Sequence, residues 1–298
     1  MAVATRLIRR RITSIRNTRK ITKAMELVAA SKMRKCVQLT LSSRAYADTA
    51  LALVGQIFKL VDPETHELLA GRRRNDSAAA PASRKTIIAV CASDRGMCGG
   101  FNAQELKNTL EFVRGRRQEE IAIVSVGRRG ERAMNRAGLQ IIASFEAISN
   151  APSFARTVPI GKMLVDEFVS GRADRIFISY MRFDGPMRQT PIVEQVLPII
   201  PEQEMEAMKM DESDAMVFEP DPNAVLDRLL PKLVETRIYQ ALLESSASEQ
   251  SARMLAMRSA TDSATTMLDD LTLAFNQARQ ASITQEISEI SAGKAAIE

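Results

Sequence analysis

From Leu7 to about Val61 the chain contains no proline and a single glycine, Gly55. Apolar or small residues recur there at helical spacing, through Ile8, Ile12, Ile15, Met25, Ala29, Met33, Cys36, Ala47, Ala50, Val54 and Ile57, which is the pattern of one face of a continuous helix. Asp62-Pro63 ends it, because proline removes an amide donor and clashes with the preceding turn. At about 1.5 Å of rise per residue the segment would run roughly 80 Å, too far for a helix inside a compact globule, so it requires a second helix alongside.

The other end of the chain supplies one. Counting alternately by three and four from Leu226 meets Leu229, Leu233, Thr236, Gln240, Leu243, Ala247, Gln250, Met254, Met257, Thr261, Ala264, Leu268, Leu271, Phe275 and Ala278. Pro231 falls in the first turns, where proline is better tolerated, and no glycine appears before Gly293. The helix could reach about 95 to 100 Å, and a heptad seam this long predicts a left-handed coiled coil. Folding the two helices back as an antiparallel pair sets Val61 beside Leu226 and Ile8 opposite roughly residue 279. Residues 280–298 are then expected to protrude, carrying Ile283, Ile287 and Ile290 at helical spacing, and such a helix must be received by another protein or fray.

Between the helices the pattern changes. Residues 71–85 mix small residues, charges and a proline without apolar period, an expected linker. From Thr86, short β-branched runs (TIIAVCAS, IAIVSV, LQIIASF, RIFISYMRF) alternate with amphipathic stretches, among them one from Phe154 to Val169. That alternation predicts a Rossmann-like α/β domain with a mainly parallel sheet. TPIVEQVLPII could add a strand only at an edge, given Pro191 and Pro198. Between Pro201 and Pro222, eight acidic residues face Lys209 alone, as in a solvated connector. The expected organisation is therefore a helix over 1–62, a linker over 63–85, an α/β domain over 86–200, a connector over 201–222 and a second coiled-coil helix over 223–298.

Charge is unevenly placed. Residues 1–35 hold eleven basic side chains against Glu26 alone, a net +10, so the remainder nets −5 of the total +5. A basic end on an acidic remainder implies an acidic partner surface: nucleic acid, a membrane face or a protein. A DNA-binding basic region should run into an uninterrupted zipper on the same helix, whereas here the best heptads lie at the other terminus. A cleavable presequence would be discarded, yet this stretch is the first half of the long helix. No apolar run approaches the roughly 20 residues that would span a bilayer.

Catalytic chemistry is not indicated. His66, the only histidine, is expected in a solvent-exposed turn. Cys36, Cys91 and Cys98 form neither a CxxC nor a cysteine–histidine pair, so neither a zinc site nor a disulfide framework is expected. Gly96, Gly99 and Gly100 follow a strand and precede a helix, where nucleotide folds cradle phosphate, but the spacing is neither GxGxxG nor a Walker loop, and the second strand lacks a ribose-binding acid. A tight turn with Asn102 as helix N-cap is the expectation.

Three segments carry a family resemblance: ITKAMELVAASKMRK at 21–35, SDRGMCGGFN at 93–102 and ARQASITQEISEI at 278–290, with ASEQSARMLAMRSATDSA at 247–264 between the last two. In collinear order they resemble the gamma subunit of rotary ATP synthase over nearly the whole chain. That resemblance implies a non-catalytic rotor shaft whose antiparallel coiled coil sits within a hexamer of alpha and beta subunits. It also implies that the α/β domain meets the epsilon subunit and the membrane c-ring, and that ATP or ADP with Mg binds on the alpha and beta partners rather than on this chain. Residue by residue it implies contacts of Arg279 and Gln280 with a loop of beta, coupling roles for Thr284 and Glu286, and a position near beta for Met25. Lys23, Lys32 and Arg34 would face an acidic lever segment of beta. The redox dithiol insertion of chloroplast relatives is absent. The start of the shared region near the first residue favours a bacterial protein on the cytoplasmic face of the inner membrane over a mitochondrial one. The competing expectations are a DNA-binding coiled coil, tested by salt-dependent DNA binding, and a Rossmann-like oxidoreductase, tested by nicotinamide or flavin binding.

Overall fold

The structure is a computed structural model and describes residues 2–58, 66–70, 84–148, 152–199 and 221–295. In chain order the elements are α1 (Ala2–Phe58), α2 (Glu67–Ala70), β1 (Lys85–Cys91), α3 (Phe101–Arg114), β2 (Glu120–Val126), α4 (Arg128–Arg136), β3 (Gln140–Phe145), α5 (Phe154–Val169), β4 (Arg175–Gly185), β5 (Arg188–Leu197) and α6 (Pro222–Ala295). The predicted end of the first helix at Val61, the linker over 71–83 and nearly all of the acidic connector lie outside the described residues. The chain divides into two compact units, residues 31–252 and residues 1–30 with 253–298.

The larger unit is built on a five-stranded sheet in the order β3-β2-β1-β4-β5. β1 runs parallel to β2 and β4, β2 runs parallel to β3, and β5 returns antiparallel to β4. β1 is central and buried on both faces, which explains its unbroken apolar run. β5 is an edge strand, and Pro191 sits opposite Met181 in it, where the missing amide harms no further pairing.

One sheet face, with Ile87, Ala89, Cys91, Val124, Ile176 and Ile178, packs on Ile160 and Leu164 of α5 and on Leu226, Leu230, Val234 and Ile238 of α6. The other, with Ile88, Val90, Ile123 and Phe177, packs on Leu106 and Leu110 of α3 and on Met134 of α4. Gly161 lets α5 approach α6 closely, since a Cβ there would lie 2.8 Å from Cγ of Glu235.

Three expectations are corrected. The linker assigned to 63–85 contains ordered structure, because α2 buries Leu68 and Leu69 in the first cluster. His66 is half-buried rather than solvent-exposed: its Nε2 lies 3.1 Å from Oδ1 of Asp227, and its Nδ1 accepts the amide of Leu68 at 3.1 Å. Asn102 is not an N-cap. Gly100 holds that position, and the Asn102 side chain instead accepts the Ser93 amide at 3.0 Å and donates to Ser93 Oγ at 2.7 Å, tying the loop to the end of β1.

Within the larger unit α1 and α6 meet through Cys36 Sγ and Ser246 Oγ, 3.3 Å apart, and through Gln240 Nε2, which donates to the Ser43 carbonyl at 3.4 Å. In the smaller unit the same two helices run antiparallel. Thr261 Oγ1 donates to Thr22 Oγ1 at 2.8 Å, and thirteen residues earlier on α1 the Arg9 guanidinium lies over the Phe275 ring at 5.3 Å. Thr22, Ala29, Met257, Ala264 and Leu268 are the buried seam there. Continuing that register sets the start of α1 opposite about residue 282.

Candidate partner-binding surface

In the smaller unit the seam uses one stripe of each helix, so the remaining faces are open. Arg6, Arg9, Arg10, Arg11, Arg16, Lys20 and Lys23 are exposed on α1. Lys23 Nζ pairs with Glu26 at 3.0 Å, one turn along the helix; an exposed pair of this kind is worth about 0 to 1 kcal/mol and leaves Lys23 available to a stronger acceptor. Met25 is half-buried beside Thr22 and Ala29.

On α6, Arg279, Gln280, Thr284 and Glu286 are all exposed. Glu286 Oε1 is 3.5 Å from Ser282 Oγ, at the limit of a hydrogen bond. Among the described residues, Arg279 and Gln280 have no hydrogen bond or ion pair within the chain. From residue 283 to 292 every residue is exposed. Ile283, Ile287 and Ile290 are 48%, 59% and 73% exposed, an apolar stripe turned to solvent. Of the two remaining predicted site residues, which belong to the larger unit, Lys32 is half-buried and Arg34 is exposed.

Sequence reasoning missed a second set of exposed apolar residues. Ile21, Leu27 and Val28, which interleave with Lys23 and Met25, are 61%, 60% and 55% exposed. Leu7, Met267 and Leu273 are exposed likewise. The signal was present, since none of them lies on the apolar series that marks the helix seam. Apolar residues off a two-helix seam, beside exposed cations, form a surface that suits burial by another protein.

The loop after β1 is self-contained. Ser93 Oγ donates to the Arg95 carbonyl at 2.6 Å, Asn102 Nδ2 approaches Cys98 Sγ at 3.0 Å, and Cys98, Phe101 and Met181 form a buried apolar cluster closed by Ala252. Asp94 Oδ1 accepts the amides of Arg128 and Ala147. A Cβ on Gly96 would lie 2.9 Å from Nη2 of Arg129, so the glycine admits an arginine of the chain itself. Burial pushes the Cys91 thiol well up, with the nearby Glu105 adding to it, and burial pushes the Cys36 thiol up; neither is a thiolate nucleophile at neutral pH. Among the described residues no group of three or more His, Cys, Asp and Glu could hold a metal ion, and no helix is long and apolar enough to cross a membrane.

Residues 4–297 match the family described as ATP synthase. An ATP synthase gamma chain from Dehalococcoides mccartyi is 39% identical over 98% of both chains. One from an Acidovorax species is 38% identical over 97% of this chain and 98% of its own. Among solved structures, a chain of the Euglena gracilis mitochondrial ATP synthase (OSCP/F1/c-ring, rotational state 3) aligns with a TM-score of 0.67 at 19% identity, covering all of this chain and 95% of that one, a likeness of fold.

Proposed function

The chain belongs to the ATP synthase gamma chain family, and from that premise we propose that it is the central rotor shaft of a proton-translocating ATP synthase. It couples rotation of the membrane ring to conformational change in the beta subunits, and it is itself non-catalytic. It is a peripheral component of a membrane-associated complex. The observation that carries the reading is the end of α6, where a protruding stripe of Ile283, Ile287 and Ile290 lies beside Arg279 and Gln280, both exposed. A helix with that much exposed apolar surface is built to be enclosed.

In this reading α1 (Ala2–Phe58) and α6 (Pro222–Ala295) form the shaft, and the α/β domain over 86–200 faces epsilon and the c-ring. Arg279 and Gln280 hydrogen-bond a loop of one beta subunit, with Thr284 and Glu286 extending that contact. Met25 sits against beta, and Lys23, Lys32 and Arg34 face its acidic lever segment. Nucleotide and Mg are held by alpha and beta. Turning the shaft moves these contacts from one beta subunit to the next, and coupling follows only if each contact is stronger in one nucleotide state of beta than in the others. The bacterial assignment sets the complex on the cytoplasmic face of the inner membrane.

The test is co-expression with the matching alpha and beta subunits, followed by size-exclusion chromatography and an ATPase assay. The proposal expects a stoichiometric complex whose ATPase activity depends on this chain. A chain that elutes alone and leaves activity unchanged overturns it.

A further inference from the structure

Glu105 lies on the buried face of α3, fully enclosed, where the surrounding side chains are otherwise apolar. Its neighbours are two hydroxyls, Thr109 one turn along α3 and Ser179 on β4, both also fully buried. Ser179 Oγ lies 2.6 Å from Glu105 Oε1 and 2.7 Å from Thr109 Oγ1, and Thr109 donates to the Glu105 carbonyl at 2.9 Å.

Each hydroxyl has one proton to donate. The Thr109 proton can serve either the Glu105 carbonyl or Ser179 Oγ, and Ser179 Oγ can donate to Glu105 Oε1 or accept from it. Ser179 thus meets Oε1 in either protonation state, and the other carboxyl oxygen distinguishes them. Oε2, that other carboxyl oxygen, is buried and among the described residues has no hydrogen-bond partner. An ionised Glu105 would spread charge onto that oxygen, whereas a neutral acid leaves a carbonyl there, which is far less costly to bury.

We propose that Glu105, Thr109 and Ser179 form a buried one-proton site in which Glu105 is a neutral acid that fixes α3 to the sheet, and that loss of its proton loosens that attachment. The only ligand is the proton. Among the described residues, no charged side chain on β1, β4, β5 or α4 stabilises the ionised form; Cys91 on β1, a buried thiol, is the titratable group that feels its charge. Burial raises the acid from 4.5 to about 8, against a smaller lowering by Ser179. Since the folded value lies above the unfolded one, the stabilisation is complete below about pH 4.5, declines as pH rises, and is gone above about pH 8. The inference goes beyond the rotor reading and does not depend on it, because it can be read on the isolated full-length chain.

Urea unfolding of the full-length chain, wild type and Glu105→Gln, from about pH 5 to 9 tests it. Glutamine keeps the shape and donates an N–H where the acid donates an O–H. The ratio of wild-type to variant unfolding constants should rise about tenfold per pH unit up to about pH 8 and then level off. A flat ratio overturns the proposal. Should the variant not fold, carboxyl carbon NMR on wild-type chain labelled at glutamate decides: one carboxyl titrating near pH 8 supports the site, and every carboxyl titrating in the ordinary range refutes it.

Discussion

Replacing Arg279 and Gln280 together by alanine separates the proposed contact with beta from the fold. Both side chains are exposed and, among the described residues, unpaired within the chain, and alanine is the strongest helix former, so folding stability should change by no more than about 0.5 kcal/mol. The contact is another matter. A hydrogen bond to a charged group contributes about 1.5 to 3 kcal/mol, so losing it from one beta state shifts the balance among states by roughly 10- to 150-fold at about 1.4 kcal/mol per decade. ATP synthesis driven by an imposed proton gradient in membrane vesicles, normalised to the amount of assembled complex, should fall by tenfold or more while assembly is retained. Unchanged synthesis removes these residues from the mechanism. Loss of the complex would instead make them assembly residues.

Met25→Lys places an ammonium at a half-buried position on the seam side of α1. Because its stem can turn the charge outward, stability should drop by about 1 kcal/mol or less, yet protons pumped per ATP hydrolysed should fall; a wild-type ratio sinks the placement of Met25 against beta. Gly127→Ala should destabilise the chain by about 3 kcal/mol or more, because the backbone there has φ of +98° and the new Cβ would lie 2.1 Å from the Ala92 carbonyl oxygen. A urea midpoint within error of wild type refutes it. Leu230→Ala removes a fully buried side chain between the sheet and α6 and should lower stability by about 2 to 5 kcal/mol in the same assay.

Periodicity made both long helices, the strand and helix alternation and the edge position of β5 legible, because each element buries a stripe whose spacing sets its type. α6 shows where that logic stops. From Met254 to Ala278 every heptad position is buried or half-buried, as expected of two helices sharing one seam. From Leu226 to Ser251, however, burial extends to Glu235, Ser245, Ser246, Ser248 and Glu249, off the seam, because sheet, α5 and α1 surround the helix. Polar residues off a helix seam carry no sequence sign of burial, and only tertiary contacts show it. Glu105 escaped notice for the same reason: a lone acid on an amphipathic helix reads as surface until the hydroxyl of Ser179, distant in sequence, is brought to it. Of the surface assigned to partners, the cations and the final isoleucines were readable from sequence, whereas Ile21, Leu27 and Val28 became conspicuous only once the seam was seen to exclude them.

The sheet order raises one further question, since an open parallel sheet binds ligands at the carboxyl ends of its strands where the order reverses, here between β1 and β4. That position is filled by α6. Ser248 Oγ donates to the Met181 carbonyl at 3.1 Å, Ser251 Oγ to the Pro186 carbonyl at 2.6 Å, and Glu244 accepts the Phe183 amide at 3.4 Å. Residues 244, 248 and 251 fall on one helix face, and Ala252 closes the cluster of Cys98, Phe101 and Met181 beside them. A fold that elsewhere offers this crevice to a dinucleotide here uses it to seat a helix, through side-chain bonds to the backbone that need no particular strand sequence. The resemblance to nucleotide-binding domains therefore belongs to the architecture alone. These bonds tie residues 244–251 of α6 to the end of β4 and to the turn that follows it.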